Sequence, residues 1–223
     1  MKKIFLAIFI FGFVLNFYSQ KMSTFTDKRD GKVYKTITIG AQTWLAENLN
    51  VDKFRNGDLI PEAKTDDEWA KAGEEGTPAW CYYNNDPEMG KKYGKLYNWF
   101  AVNDNRGLAP AGWHIPSIEE ITIFVNEVKK DGNALKTKDQ GKENGAGTNS
   151  SGFSALLAGG RGDYATDKFN SLGNFAFFWS STETIKSING LARSISLLAN
   201  SNDIYLYFSK KRQGLSIRCV FDY

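Results

Sequence analysis

The chain has 223 residues, with 28 Lys+Arg, 25 Asp+Glu, one histidine and two cysteines. So near a balance, without an arginine-rich stripe, excludes nucleic acid as an expected partner. Aromatic residues make up 14% and there are 21 glycines against 5 prolines, which favours many short strands with glycine turns over a helical bundle.

Residues 1–20 read as a signal peptide: Lys2 and Lys3, then the apolar run IFLAIFIFGFVLNF, then YSQ. The run is of secretory length and too short and wrongly flanked for a spanning helix. A cut near Ser19 or Gln20 is expected, leaving an exported protein, periplasmic, on the cell surface or secreted, with no transmembrane segment after cleavage. An uncleaved anchor is the alternative. Residues 21–30 are a polar lead-in, and 31–223 are long enough for one domain with a real core.

KVYKTITIGAQTWLAENL reads as a hairpin. Val33, Ile37 and Ile39 share a parity, and Gly40-Ala41 suits a two-residue turn. Thr65 and Glu68 form a capping box for a short helix that ends at Gly73 or Gly76, with Trp69 as its buried anchor. NNDPEMG, at 84–90, reads as a turn. The apolar run after Gly94 does not separate helix from strand by its period. Ser117 and Glu120 cap a second helix, Ile118 to about Lys129, and Gly-Trp-His-Ile-Pro (112–116) is its extended lead. Residues 136–152 form a polar, glycine-rich surface loop. FAFFWSS, ARSISLLA, IYLYF and LSIRCVF read as strands. Ile195 and Leu197 oppose Ser194 and Ser196, and Leu215, Ile217 and Cys219 share a face. The order is that of an α+β domain, not an alternating βαβ one.

Candidate chemistry is sparse. Cys81 and Cys219, an even pair in an exported chain, are expected to form a disulfide, with a reactive thiol pair as the alternative. His114 lacks a second histidine for a relay or a metal pair. No Cys/His cluster has zinc spacing. Asn84, Asn85, Asp86 and Glu88 supply oxygens that leave a structural calcium open, though an Asx turn explains them better. No metal or other cofactor is expected. The tripeptide Arg161-Gly162-Asp163 is too short to signify adhesion.

TIGAQTWLAENLN, CYYNNDPEMGKKYGKLYNWFAVND, RGLAPAGWHIPSIEE, SGFSALLAGGR, FWSSTE and GLSIRCV, in this order, resemble the Fibrobacter succinogenes major paralogous domain, from about Asp30 to Tyr223. The resemblance implies an exported bacterial protein with a C-type lectin-like fold: two helices, antiparallel sheets and long loops, a fold shared with formylglycine-generating enzymes. Ile121 and Ala158 stand where the family often has Trp and Pro, at sites that look structural. Arg161 stands where it often has a tyrosine, which weakens any carry-over of ligand contacts there. The resemblance makes the Gly-Trp-His-Ile-Pro turn a packing motif and His114 scaffold. It also directs attention to the loops of the second half, where Arg161, Asp163, Tyr164, Asp167, Phe169 and Asn170 are the expected ligand-binding residues. The expected function is non-catalytic binding of an extracellular glycan or protein at the cell envelope, with no catalytic residues. The alternatives are an enzyme on the formylglycine-generating type of fold and a structural envelope protein.

Overall fold

The computed structural model describes residues 21–163, 168–184 and 190–223. The expected signal peptide lies outside them. Among the described residues no helix is long and apolar enough to cross a membrane.

The chain opens with an antiparallel meander of β1 (Met22–Thr26), β2 (Val33–Ile39) and β3 (Gln42–Leu45). The last two are the expected hairpin. Strand β1 is a correction, because the polar lead-in is part of the sheet: Met22 to Thr26 pair residue by residue with Ile37 to Val33. Its outward side chains hid it, while Phe25 packs its ring on Trp113.

Helix α1 (Asp66–Glu75) carries the predicted capping box at Thr65 and Glu68, and Gly76 in the left-handed region closes it. Trp69 is buried and donates from its indole to the Arg212 carbonyl. After the short strand β4 (Trp80–Cys81), the expected NNDPEMG turn is instead a 3-10 turn followed by helix α2 (Pro87–Tyr93). Asp86 caps it and Pro87 begins it, a start signal that a turn reading also fits. The ambiguous run beyond Gly94 splits into β5 (Leu96–Tyr97) and α3 (Trp99–Val102).

Next come β6 (Trp113–His114), α4 (Ile118–Glu127) with its box at Ser117 and Glu120, and the single turn α5 (Gly132–Leu135). The strand-rich end holds β7 (Ala158–Arg161), β8 (Phe169–Leu172), β9 (Phe175–Glu183), β10 (Leu191–Leu198), β11 (Ile204–Lys210) and β12 (Val220–Phe221). The reading from sequence overlooked β7 and β8, because paired glycines resemble a turn. Gly159 sits at φ +63°, and a Cβ there would lie 2.3 Å from the Asn170 carbonyl oxygen, so the close pairing of β7 with β8 needs glycine.

The strands build two five-stranded sheets, ordered β1-β2-β3-β12-β6 and β11-β10-β9-β7-β8, and a small β4-β5 ribbon. The architecture is therefore α+β, mostly sheet with few helices. Between the sheets runs Gly214–Val220. Gly214 exchanges two backbone hydrogen bonds with Arg161, and Leu215 exchanges two with Tyr97. Ser216 bonds to Phe177 and Trp179, the carbonyls of Ile217 and Cys219 accept from Leu49 and Leu45, and Val220 pairs with Trp44 and His114.

This segment also divides the core. Leu215, Ile217 and Cys219 face one apolar cluster with Tyr34, Tyr97, Trp113 and Trp179. A second cluster gathers Ile37, Trp44, Phe124, Phe153, Phe178, Ile195 and Leu197. Arg218 lies beside it, fully buried. Its guanidinium donates to Asn48 Oδ1 and to the carbonyls of Leu45, Phe153 and Ser154, at 2.6–3.1 Å, and stacks near the rings of Phe153 and Phe178. Burial pushes its pKa down to about 9, which still leaves it cationic at neutral pH.

The expected Cys81–Cys219 disulfide is not formed; both cysteines are free and buried. Cys81 packs with Trp69, Tyr83 and Leu96 in a small third cluster, whereas Cys219 belongs to the large cluster around Trp113. Each acts as a small apolar side chain. Burial raises the Cys81 thiol to about 11 and the Cys219 thiol to about 12.

Two outcomes are expected. A thiol reagent at pH 8 should titrate neither cysteine in the native protein and both in guanidinium; no titration in denaturant would restore the disulfide. Arg218→Ala, which leaves four buried acceptors unpaired, should destabilise by roughly 3–5 kcal/mol in chemical denaturation, and a loss under 1 kcal/mol would contradict the pinning role.

Candidate functional site

Four of the six expected ligand-binding residues are described, and they have different surroundings. Arg161 is buried, and its guanidinium reaches the carbonyls of Ala63 and Thr65, Asn85 Oδ1 and Asp66 Oδ1. It lies between the rings of Trp69 and Phe169, 4.8 Å from each centroid. It therefore clamps α1 and the 3-10 turn to β7. Asp163 is buried and pairs with Lys210 at 3.0 Å. The tripeptide is thus folded inward rather than displayed. Phe169 is half-buried against Tyr83 as well as Arg161. Asn170, on β8, accepts a hydrogen bond from the Ser171 hydroxyl. Tyr164 and Asp167 lie outside the described residues.

Arg161, Asp163 and Asn170 meet at one end of an open groove of about 700 Å³ on the β7–β11 sheet. Most of its wall comes from strands that sequence reasoning did not connect with binding. The register explains its shape. On β10, which lies between β9 and β11, Ser196 sits between Phe177 of β9 and Tyr205 of β11, Ser194 lies opposite Tyr207, and Leu198 lies opposite Phe175. The groove thus has Ser196 and Leu198 on its floor between two rows of rings, Phe175 with Phe177 and Tyr205 with Tyr207. Two strand spacings, roughly 9–10 Å, separate the rows.

Phe175 and Phe177 stack with centroids 5.3 Å apart. Tyr205 is 40% and Tyr207 57% exposed, a high value for aromatic residues on a regular strand. Ser209, at the groove lining, has its hydroxyl hydrogen-bonded to that of the buried Ser194 at 2.8 Å. Ser196 is 3% exposed and lines the groove. Gln213 and Ser171 add an amide and a hydroxyl at the rim. The signal in the sequence is IYLYF itself, which sets Tyr205 and Tyr207 on one parity of a single strand.

The Asn84–Glu88 oxygens are used locally. Asp86 caps α2, Asn85 donates to the Lys64 carbonyl and accepts from Arg161, and Glu88 pairs with Lys91. Among the described residues no three His, Cys, Asp or Glu side chains gather as a metal would need.

A family model described as the Fibrobacter succinogenes major domain matches residues 37–220, most of the chain. Neither a curated protein nor a solved structure matches.

His114 sits away from the groove. Its Nε2 meets Glu120 Oε1 at 2.7 Å, while its Nδ1 meets the Asp222 carboxylate. Glu120 Oε2 accepts from the Ser117 amide, so one carboxylate serves both the helix cap and the ring. The half-exposed imidazole clasps the end of the chain to the start of α4. Burial pulls the ring's pKa down, but hydrogen bonds to Asp222 and Glu120 outweigh it and the net shift is upward. A raised histidine pKa gives stability that is fully present below the unfolded value of about 6.5 and is lost as pH climbs through the folded value. Denaturation midpoints should therefore fall over that interval, and His114→Gln should remove that part of the slope; an unchanged slope in the variant would show that the clasp contributes nothing.

Proposed function

Because the chain belongs to the Fibrobacter succinogenes major domain family, we propose that it is an exported, non-catalytic binding protein with a C-type lectin-like fold. Its ligand is an extracellular glycan or protein at the cell envelope, held in the groove over β9, β10 and β11. The export reading rests on the basic start and apolar run of residues 1–20. The fold reading is supported by the two capped helices and by the pairing of β3 with β12, which joins the start of the domain to its end.

One observation carries the binding reading: two rows of aromatic rings flank a hydroxyl-bearing floor. Ring faces pack against the C–H faces of a sugar or against apolar side chains, while hydroxyls and amides satisfy polar edges. Ser196 supplies such a hydroxyl on the groove lining. Among the described lining residues the carboxylate is that of Asp163, already paired with Lys210. Two-carboxylate hydrolysis of a glycoside would need a second acid facing it. Arg161 and Asp163 hold the end of the groove in place, and direct contact falls to Phe175, Phe177, Tyr205, Tyr207, Ser196 and Asn170. The groove is open, which suits an extended ligand.

The test is a glycan and peptide array probed with multimerised residues 21–223, with calcium and with chelator, since avidity reveals weak single contacts. Tyr205→Ala and Tyr207→Ala should each weaken a specific hit about 3- to 10-fold, the scale of one aromatic contact at 0.5–1.5 kcal/mol. A hit indifferent to both substitutions would move the site elsewhere, and arrays blank in both buffers would refute binding of the ligands displayed.

A further inference from the structure

We propose a second binding site, for a phosphate-type oxyanion, in a basic cleft between β2 and the C-terminal end of α2. The cleft holds about 390 Å³ and is distinct from the aromatic groove, with no lining residue in common. Its ionisable lining is Lys32, Lys35, Lys91, Lys92 and Arg218 set against Glu47. The whole sequence carries 28 basic and 25 acidic side chains, so this concentration of positive charge is local and does not follow from composition.

Two features single the cleft out from an ordinary lysine-bearing surface. The first is the state of its cations. Lys91 is bridged to Glu88. Among the described residues Lys32, Lys35 and Lys92 have no carboxylate within ion-pair distance. Lys32 is half-buried with its ammonium over the Tyr34 ring, and Lys92 lies over the Tyr93 ring. Glu47 uses one oxygen to accept the Lys35 amide. The second feature is Arg218, 2% exposed, at the inner wall. Its guanidinium meets four neutral oxygens and no carboxylate. A buried cation with only neutral acceptors keeps a positive potential that a low-dielectric wall focuses outward. An anion in the cleft would face that potential from below and flexible ammonium groups from the rim, the arrangement that suits a compact, multiply charged oxyanion.

Free phosphate and a phosphorylated headgroup share this chemistry, and the experiment separates them. Isotope-labelled protein, residues 21–223, is titrated with inorganic phosphate, and with sodium chloride at matched ionic strength to remove plain screening. Backbone signals are followed at Lys35, Asn48, Lys92, Tyr93 and Ser154. A parallel arm measures sedimentation with vesicles of phosphatidic acid and phosphatidylcholine, the former carrying a phosphomonoester. The paired variant Lys35→Ser with Lys92→Ser is used because both side chains are exposed and the fold does not rest on them. Saturable shifts at these residues with phosphate and not with chloride, weakened about tenfold in the variant, establish the site for free phosphate; two surface charge contacts are worth about that much. Vesicle binding lost in the variant, with no phosphate response, assigns the same site to a headgroup. Equal shifts with chloride, or binding by either probe that the variant leaves unchanged, or no response to either probe, overturn the proposal.

Discussion

The backbone of Gly214–Val220 hydrogen-bonds to both large sheets and to the β4-β5 ribbon. A segment in that position has no solvent on either side, so each of its side chains must be matched by what surrounds it. Leu215, Ile217 and Cys219 meet apolar partners. Gly214 leaves room for Trp69 and Arg161, whose atoms would lie 2.9 Å and 3.0 Å from an added Cβ. Ser216 and Arg218 fall on the other parity, and there the arginine turns a problem of burial into a means of fastening. Its donors collect the backbone of Leu45 and of the adjacent pair Phe153 and Ser154, two places far apart in sequence. Buried charge of this kind is a poor source of net stability but a strong constraint on which loops can sit where.

Arg161 repeats the device one sheet away. It has an acidic partner in Asp66, two carbonyls and two flanking rings. A residue that reads as a loop cation in the sequence is thus a fastener between α1 and β7. The cysteines changed meaning for a related reason. An even pair in an exported chain suggests a bridge, but each thiol is enclosed by its own apolar cluster, and the fold holds them apart through packing rather than joining them.

What the sequence revealed follows from strictly local physics. Capping boxes at Thr65 and Ser117 need only residues three apart, and the Val33–Leu45 hairpin needs only alternation and a glycine turn. What stayed hidden depends on distant partners. Strand β1 has polar, exposed residues and exists because β2 presents an edge to it. Gly159 and Gly160 make a strand only because β8 approaches closely. Of the expected ligand-binding residues, Arg161, Asp163 and Asn170 border the groove. The aromatic rows were missed because they belong to strands separated by turns, and only the register brings Phe177, Ser196 and Tyr205 into one line.

The same alternation that builds the core also shapes the proposed groove. Ile195 and Leu197 are locked into the cluster with Phe178 and Phe124, so Ser194 and Ser196 must face the other way. A slip of one residue would put serines into the core and isoleucine into the groove, at the cost of several buried methyl groups. The floor is therefore as firmly specified as the core behind it. A groove defined by strand spacing keeps its width without a bound ligand, so its aromatic rows need little ordering when one arrives. That separates it from a site built on loops. The rigid sheet would set the distance between ring faces and hence the shape of ligand admitted, while residues at the ends of the strands would decide which polar groups are accepted.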